Sequence, residues 1–534
     1  MADDEGLSRR AFLRVGVAGT AGAIVLGCGP EAGTDAGALD DAGGLDAGAV
    51  EDAGAEDAGV ADAGPPPARL AIPPLKPGEV VGGVRVHTLQ MQNGVTELLP
   101  GLSTVTAGYD GSFLGPALEL RRGEEVEIQV TNDLGRVTTT HWHGMHVPAA
   151  MDGGPHQPIA DGETWTARFT VMNRASLCWF HPHAMGNPTE PHATSYQVYR
   201  GLAGLLWVRD DESDALALPS TYGVDDIPLV LQDRRFEPDG ALFDFEPGAS
   251  AHAVRKGGDF FVNGVLTPGL ATHAQQVRFR VLNGSNARLY HLAVLDDADA
   301  DREVQVIASD GGLLGAPVPL RRVTLSPGER VEIVVDLTGD EGRTLRLVSK
   351  NEELSIDQYV GRTTADAWDQ QTVHLMTLEV GPPTAGAVMS LPATLAPVAR
   401  IPESDAVTTR VFQLGGPSGE NHLINGQAMD ITRTDAEVPL GDTEIWEIQN
   451  ATSTAHPFHI HGAPFQVLSR ANIGTDGVPE HELGEKDTVL VRVGEIVRVI
   501  RRFTDFADPD GYYMFHCHIL EHEDRGMMGQ FKVV

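Results

Sequence analysis

Short runs that alternate apolar and polar residues recur along most of the chain. Examples are VEIQVTN, VRFRVLNGSN, VEIVVDLTG and VRVIRRF, and turn-forming Gly, Pro, Asn and Asp residues separate such runs. A period of two places successive side chains on opposite faces of a β-strand, so that one face is buried. Helical periods are few. The pattern predicts an all-β fold built of antiparallel β-sandwiches.

Residues 68–534 carry this pattern and are too numerous for a single hydrophobic core. An acidic stretch around Asp210 to Pro219 and a proline-rich stretch around Gly381 to Pro402 interrupt the pattern. We interpret the acidic stretch as a loop between two domains and the proline-rich stretch as a second link.

The N-terminus has the features of an export signal. SRRAFLR (Ser8 to Arg14) contains a twin arginine, and the apolar segment Val15 to Gly27 is too short to span a bilayer permanently. The segment leads into VLGC, which predicts lipoprotein processing with Cys28 as the lipidated first residue. The alternative is an ordinary cleavage site near Cys28, but no disulfide framework accounts for this cysteine. Residues 1–27 are therefore predicted to be a twin-arginine lipoprotein signal. The predicted location is the periplasm or the cell surface, with a lipid anchor.

Residues 28–67 consist mainly of an Asp-Ala-Gly array. The array has no aromatic and no basic residue, so it cannot bury enough apolar surface to offset its ordering entropy. We interpret it as a disordered tether. Without its ten acidic residues the formal net charge of -36 becomes -26. The rest of the chain is still acidic, which argues against nucleic acid as a partner.

Metal-binding residue types cluster near the C-terminus in YYMFHCHILEHEDRGMM, Tyr512 to Met528. Two His, one Cys and a weakly bound Met are the ligands of a blue copper electron-transfer site. Cys517, His522 and Met527 offer three of these ligands, and the run HPFHIHG that begins at His456 can supply the missing histidine. The segment therefore predicts a blue copper site.

Histidines also occur in pairs separated by one residue. Chance predicts about 0.7 such pairs for this composition, whereas the chain has four: His141/His143, His181/His183, His459/His461 and His516/His518. On a strand, both members of a pair point to the same face. Metals on His516 and His518 would thus be one covalent segment away from a metal on Cys517. The eight imidazoles are enough for three further copper ions.

The four motifs THWHG, CWFHPHAM, HPFHIHG and HCHILEHEDRGMM resemble, in order and spacing, the copper motifs of the multicopper oxidases. The similarity is to the bacterial laccase, spore-coat oxidase and copper-efflux oxidase group, and it extends from about residue 80 to the end. It implies three consecutive cupredoxin-like Greek-key β-sandwich domains, which we place at 68–212, 225–385 and 405–534. The middle domain has none of the motifs and is expected to hold the other two in register.

The resemblance also implies four copper ions and assigns their ligands by motif position. Met528 competes with Met527 as the axial ligand, but the family places this Met ten residues after the cysteine. The implied ligands are His456, Cys517, His522 and axial Met527 for type 1 copper, His141 and His459 for type 2, and His143, His181, His183, His461, His516 and His518 for the type 3 pair.

Two acidic residues occupy positions that supply protons in this family. Asp152 follows His141 by eleven residues, and Glu523 directly follows His522. The alternative interpretations are a turn aspartate before two glycines and a solvated loop acid. Trp142 and Trp179 are interpreted as packing residues. Histidines outside the pairs are interpreted as ordinary surface or core residues: His146, His156, His192, His422 and His481.

The expected activity is that of a laccase-like oxidase, in which one-electron oxidation of phenols or similar reductants is coupled to reduction of dioxygen to water. The alternative is a cuprous-ion oxidase. Relatives of that kind have a Met-rich insertion and an Asp and a Met before HPFHIHG, whereas this chain has Thr452 and Thr454 there and its 12 Met are scattered. A copper-free exported scaffold is a third possibility, but every ligand position is occupied. We expect a monomer.

Overall fold

The computed structural model describes residues 67–245, 252–362, 364–416, 422–471 and 477–534. The predicted signal and the predicted tether, apart from Pro67, lie outside the described residues. Regular structure within the described ranges is almost entirely β-strand. No helix in these ranges combines the length and the apolar character needed to cross a membrane.

The first region contains ten strands in two sheets. One sheet has the order β1-β5-β10-β9-β7, and the other has the order β2-β3-β6-β8 with β4 paired to β3. Buried side chains such as Leu118 of the first sheet and Ile128 of the second form one core between them. The strands are β1 (Leu75–Lys76), β2 (Glu79–Val81), β3 (Val84–Leu99), β4 (Leu102–Tyr109), β5 (Ala117–Arg121), β6 (Glu125–Asp133), β7 (His141–His143), β8 (Thr164–Thr170), β9 (Ser176–His181) and β10 (Gly204–Arg209).

The second region contains thirteen strands, again in two sheets. Their orders are β13-β12-β11-β15-β21-β18-β19 and β14-β23-β22-β16-β17, with β20 paired to β16. Its core is a separate cluster that includes Phe279 and Leu347. The strands are β11 (Asp226–Arg234), β12 (Asp259–Val262), β13 (Val265–Leu266), β14 (Gly269–His273), β15 (Gln276–Asn283), β16 (Tyr290–Leu295), β17 (Asp301–Arg302), β18 (Val304–Ser309), β19 (Gly312–Leu320), β20 (Val323–Leu325), β21 (Arg330–Asp336), β22 (Thr344–Lys350) and β23 (Thr372–Gly381).

The third region contains nine strands in sheets of order β24-β26-β30-β28 and β25-β32-β31-β27-β29. Its core includes Trp446, Phe515 and Cys517. The strands are β24 (Thr408–Leu414), β25 (Ala436–Val438), β26 (Thr443–Asn450), β27 (His456–Ile460), β28 (Gln466–Ala471), β29 (Thr488–Val491), β30 (Ile496–Arg502), β31 (Tyr513–Cys517) and β32 (Met528–Val533).

Helices in the described residues are short. The acidic stretch predicted as a loop begins with a helical turn, because the Asp210 carboxylate accepts a hydrogen bond from the Ser213 amide at 2.7 Å and so caps it. The α-helices are α1 (Thr194–Tyr199), α2 (Asp211–Asp214) and α3 (Leu520–Asp524). The 3-10 turns are Ala149–Met151, Asn351–Glu353, Ala367–Gln370, Glu403–Asp405 and Glu480–Glu482, and Ile356–Val360 is a π-turn.

Strand register brings the histidine motifs together in pairs. β7 runs antiparallel to β9, with His141 opposite His181. β27 runs antiparallel to β31, with His459 opposite His516. The prediction of an all-β fold of three consecutive cupredoxin-like sandwiches is confirmed, while the residue numbers chosen for the domain boundaries stay predictions.

Candidate metal centres

Three donor atoms meet where β27, β31 and α3 come together. His456 Nδ1 lies 3.3 Å from Cys517 Sγ and 3.3 Å from His522 Nδ1, and the Cys517–His522 distance is 3.6 Å. All three side chains are buried. The centre of such a triangle is about 2 Å from each corner, which is close to the length of a metal–imidazole bond. The triangle therefore has the size and the soft donor set of a copper site.

The outer nitrogen of His456 is held by Thr452. The Thr452 hydroxyl donates to Asn450 Oδ1 at 2.8 Å, so it accepts from Nε2–H of His456, also at 2.8 Å. This contact places the proton on Nε2 and leaves the Nδ1 lone pair facing Cys517. Thr452 thus fixes the tautomer that a metal at this position needs.

Met527 packs in the same hydrophobic core as Cys517, whereas Met528 does not. Met527 belongs to the same buried cluster as Cys517 and Ile519, and its carbonyl accepts a hydrogen bond from the Cys517 amide at 3.0 Å. Met528 is the first residue of β32, where it pairs with His516 and lines a cavity of about 140 Å³. This geometry favours Met527 as the axial ligand.

The eight paired histidines form a second group, in which β7 and β9 of the first region face β27 and β31 of the third. Within this group, the ring nitrogens form two separate triplets, and a third set joins His141 and His459 to His461 of the second triplet. The triplets are His143/His181/His518 and His183/His461/His516. The structure thereby divides the six predicted type 3 ligands into two sets of three, a division that the sequence did not provide.

In the triplet around His516, three ring nitrogens converge on one another. His516 Nε2 lies 3.1 Å from His183 Nε2 and 3.2 Å from His461 Nε2. The proton of His516 is on Nδ1, because that atom faces the carbonyl oxygen of Cys517 at 3.1 Å, and a carbonyl can only accept. The lone pair of His516 therefore points at the other two rings, as a bound cation requires.

Backbone carbonyls fix the other tautomers in the same way. His141, His181 and His459 each donate from Nδ1 to a carbonyl oxygen at 2.8 to 2.9 Å, those of Asp152, Pro182 and Asp487 respectively. Their Nε2 atoms are buried and have no hydrogen-bond partner among the described residues. Buried polar atoms are almost always satisfied, so these unpaired ring nitrogens fit a site that binds metal ions.

Burial keeps these imidazoles neutral and ready to bind metal. It lowers the pKa of His183 and of His456 to about 3, and mutual repulsion between the rings acts in the same direction at most of the other positions. The pKa is also below its ordinary value at His141, His143, His181, His461, His516, His518 and His522. The donor set, the burial and the tautomers all fit copper.

Asp152 lies against this cluster and also forms a tight turn. Its carboxyl oxygen Oδ2 is 2.6 Å from His461 Nδ1, and burial raises its pKa well above the ordinary value although Arg501 opposes the shift. Gly153 has φ of 79°, and a Cβ there would lie 1.8 Å from the carbonyl oxygen of Thr140. The turn therefore holds Asp152 against the histidines. Asp152 can accordingly be a turn residue and also lie where a proton donor to the cluster is needed.

Glu523 is buried on α3 and is not a solvated loop residue. Its two carboxyl oxygens lie 3.4 Å from His183 Nδ1 and 3.4 Å from His516 Nδ1. Burial and the neighbouring Asp524 charge raise its pKa well above the ordinary value. Asp152 and Glu523 thus both contact the triplet that contains His461.

The sequence analysis missed a third carboxylate at the cluster. Asp487 Oδ1 lies 3.0 Å from His143 Nε2, and its carboxylate is paired with Arg330 of the middle region. Burial alone would raise the pKa of Asp487, but Arg330 outweighs burial and holds that pKa well below its usual range. The adjacent run EKDTV carries no histidine, so spacing alone could not reveal this contact.

Two further sequence predictions concern the tryptophans beside the motifs and the histidines outside the pairs. Trp142 and Trp179 are buried and pack as expected. His422, which the sequence analysis treated as ordinary, lies against the ring of His522 with centroids 4.6 Å apart, and His252 lies 5.3 Å beyond it. These two histidines flank the third-region copper triangle on the His522 side.

Two parts of the chain match families described as multicopper oxidase, at residues 90–213 and 400–534. A multicopper oxidase of Staphylococcus haemolyticus is 34% identical over 84% of this chain and 89% of its own length. The cell division protein FtsP of Escherichia coli is 31% identical over 83% of this chain and 89% of its own length. The structure of a laccase-like multicopper oxidase from Ochrobactrum sp. is 37% identical, with a TM-score of 0.76, over 87% of this chain and all of that one.

The fold and the histidine clusters define a copper protein built from cupredoxin domains. The chain belongs to the multicopper oxidase family. It is a copper-dependent oxidoreductase of the laccase-like kind.

Proposed function

We propose that the protein binds four copper ions and oxidises phenolic or similar reductants with dioxygen as the acceptor. The observation that carries this proposal is the convergence of buried imidazole nitrogens, several of which have no hydrogen-bond partner among the described residues. Such an arrangement is costly in a metal-free protein and is typical of one built around metal ions.

The ligand roles follow from the three groups of donor atoms. His456, Cys517 and His522 would hold the type 1 ion, with Met527 as the axial ligand. The triplets around His181 and His183 would hold the type 3 pair, and His141 and His459 the type 2 ion. Bound copper would supply one-electron redox chemistry, so that four electrons from reductant reduce one dioxygen to two waters.

The chain itself connects the two centres. Cys517 follows His516 and precedes His518, and each of these histidines belongs to a different triplet. The peptide segment His516–His518 is therefore the shortest covalent connection between the Cys517 sulfur and the cluster. Its two ends are fixed by β31 and by the hydrogen bond from the His518 amide to the carbonyl of Pro457 at 2.7 Å.

Asp152 and Glu523 are proposed to deliver the protons that oxygen reduction consumes. Each carboxyl is buried, has a raised pKa and lies against a ring Nδ1 of the same triplet. A carboxyl group with a raised pKa holds its proton near neutral pH and can release it to an adjacent acceptor. Neither residue is a predicted copper ligand, so both are available for this role.

A phenolic reductant is preferred to a cuprous ion. Thr452 stands at one of the two sequence positions where cuprous oxidases have a metal ligand, and its Oγ1 is hydrogen-bonded to His456 Nε2 instead. The other histidine, His522, faces His422 instead. The similar Ochrobactrum oxidase is described as active towards lignin model compounds and lignosulfonate, which supports the same class of reductant here.

Export and anchoring complete the proposal. The twin-arginine motif and the VLGC sequence support export to the periplasm or the cell surface and lipid attachment at Cys28. We expect the folded region to be a monomer. The tether of Asp, Ala and Gly would give the enzyme reach from the membrane surface.

Oxygen uptake by the copper-loaded protein tests this function. Phenols, bilirubin, cuprous ion and manganous ion are each supplied as the only reductant. We expect the highest kcat/KM with a phenol. Rapid uptake only with cuprous ion would assign the protein to metal-ion oxidation, and a colourless protein that binds no copper would favour the alternative of a copper-free scaffold.

A further inference from the structure

The carboxylate of Asp487 connects the copper cluster to the middle region of the protein. Its Oδ1 atom accepts hydrogen bonds from His143 Nε2 at 3.0 Å and from the Thr488 hydroxyl at 2.9 Å. A proton on Nε2 leaves the Nδ1 lone pair of His143 pointing into the cluster, where that atom is buried and has no hydrogen-bond partner among the described residues. The carboxylate therefore selects the tautomer in which His143 can bind metal.

Arg330, the first residue of β21 in the middle region, holds this carboxylate with a planar fork. Nη1 donates to Asp487 Oδ1 at 2.7 Å, and Nη2 donates to Asp487 Oδ2 at 2.6 Å. The guanidinium also donates to the carbonyl oxygens of Leu177, Gly328 and Asp310 at 2.9, 3.2 and 3.1 Å, and the Asp310 carboxylate lies 3.7 Å from Nη1. Leu177 lies on β9, the strand that carries His181, so one buried side chain contacts all three regions.

Two glycines lie where any side chain would collide with the Arg330–Asp487 ion pair or with a neighbouring histidine ring. Gly144 directly follows His143, and a Cβ there would lie 2.5 Å from Arg330 Nη2 and 2.8 Å from Asp487 Oδ2. A Cβ at Gly328 would lie 2.8 Å from the ring of His518. Both glycines have positive φ, at 89° and 83°. The middle region thus approaches His518 directly at Gly328 and reaches His143 through the Arg330–Asp487 pair.

We propose that Asp487 is a positioning residue for His143 and that Arg330 sets the position of Asp487. The middle region, which has no copper motif, would then determine how tightly the His143/His181/His518 triplet binds copper. This inference rests on the proposed function, because it assumes that the triplet holds a copper ion. It goes beyond the expectation that the middle domain only keeps the other two in register.

Asp487→Asn is the most informative variant, because it has nearly the same shape. An asparagine has one acceptor oxygen in place of two, so it cannot keep the hydrogen bond from His143 and both hydrogen bonds from Arg330. Either its amide faces His143 and moves the ring proton to Nδ1, or its amide faces Arg330 and breaks the fork. We expect copper affinity at the cluster to fall about 10- to 100-fold, the usual effect of losing such a partner. The absorption of the blue site should be unchanged.

Copper content and spectroscopy distinguish this effect from simple destabilisation. After dialysis against a chelator, the variant should lose copper that is silent in electron paramagnetic resonance, which reports a coupled copper pair, and keep the blue ion. Arg330→Lys keeps the charge but loses the fork, so its copper affinity should lie between those of the wild type and Asp487→Asn.

Asp226→Asn is the matched control. Asp226 is equally buried and accepts two hydrogen bonds from Arg280 at 2.7 Å each, but none of its contacts among the described residues is with a histidine. It should destabilise the metal-free protein and leave the full copper content. Full copper affinity in Asp487→Asn, or an equal loss in Asp226→Asn, would overturn the inference. A wild-type protein that binds no copper would instead refute the proposed function.

Discussion

Cys517 Sγ and His456 Nδ1 lie 3.3 Å apart although 61 positions separate the two residues in the chain. The contact arises from strand register, because Cys517 pairs with Phe458 across β31 and β27, and His456 lies two residues before Phe458 on the same strand. His522 completes the triangle because α3 follows β31 after two residues. The geometry of the blue site is therefore a direct consequence of one antiparallel strand pair and one short helix.

The first prediction concerns the cysteine of this triangle. Cys517→Ser should abolish the intense visible absorption, since that absorption requires a copper–thiolate bond, and turnover should fall with it. Cys178→Ser is the control, because Cys178 is also buried but lies beside Ser176 and Arg330. Visible spectra of both copper-loaded variants are compared. Blue colour in Cys517→Ser would show that another residue provides the sulfur.

The second prediction concerns the axial ligand. Met527→Leu keeps the volume of the side chain, so the stability cost should be under about 1.5 kcal/mol. The blue colour should persist while the potential of the type 1 site rises, because a weak donor that stabilises cupric ion is lost. Redox titration measures the potential. A shift in Met528→Leu without one in Met527→Leu would mean that the axial ligand is the neighbouring residue.

The third prediction tests proton delivery by Asp152. An asparagine at this position can still accept the hydrogen bond from His461 Nδ1, but it has no carboxyl proton to give. We expect normal copper content, normal reduction of the blue site and reoxidation by dioxygen slowed about 100-fold. The loss should be greatest at high pH, where free protons are scarce. Rapid mixing measures the two half-reactions separately, and unchanged reoxidation would leave Asp152 only its role in the turn.

The fourth prediction concerns the acid stability of the metal-free protein. Nine of the predicted ligand histidines have a lowered pKa in the folded state, down to about 3 at His183 and His456. Below pH 6.5 the unfolded chain therefore binds more protons than the folded chain, and stability decreases as the pH falls. Each such histidine contributes a slope of up to about 1.4 kcal/mol per pH unit.

Asp152 and Glu523 act in the opposite direction, because their raised pKa values favour the folded state at low pH, but the histidines outnumber them. We expect the free energy of unfolding of the metal-free protein to fall steeply below pH 6.5. The copper-loaded protein should stay folded to a lower pH. Denaturant titrations at several pH values measure this. Stability of the metal-free form that is independent of pH between 6.5 and 4 would contradict the assigned burial of the histidines.

The fifth prediction concerns the approach of the reductant. The hydrogen bond from His456 Nε2 to Thr452 blocks access to that nitrogen, whereas the ring of His422 lies against the other histidine ligand, His522. His422→Ala should therefore change KM for phenols and leave reoxidation by dioxygen as it is. His156→Ala is a suitable control, since His156 contacts Gln530 and Tyr512 and lies against none of the predicted ligands. Equal KM values for wild type and His422→Ala would place the reductant elsewhere.

Local patterns in the sequence were enough to predict the class of fold and to single out the candidate ligands. Alternating apolar and polar residues indicate strands because the period of a β-strand is two, whatever the partner strand. The histidine pairs are recognisable for the same reason, since both members of a pair must point to one face. His141, His143 and Cys517 could therefore be selected without any knowledge of which strands are neighbours.

Tertiary structure alone decided which ligands share a triplet and which residues support them. Strand pairing placed His459 beside His516 and His141 beside His181, and only the meeting of the first and third regions brought His183 within 3.1 Å of His516. Arg330 and Asp487 are 157 positions apart and show no periodicity, so no pattern along the chain could connect them. Their pairing depends on the packing of three sandwiches, because a buried charge is tolerated only where the folded chain supplies its partner.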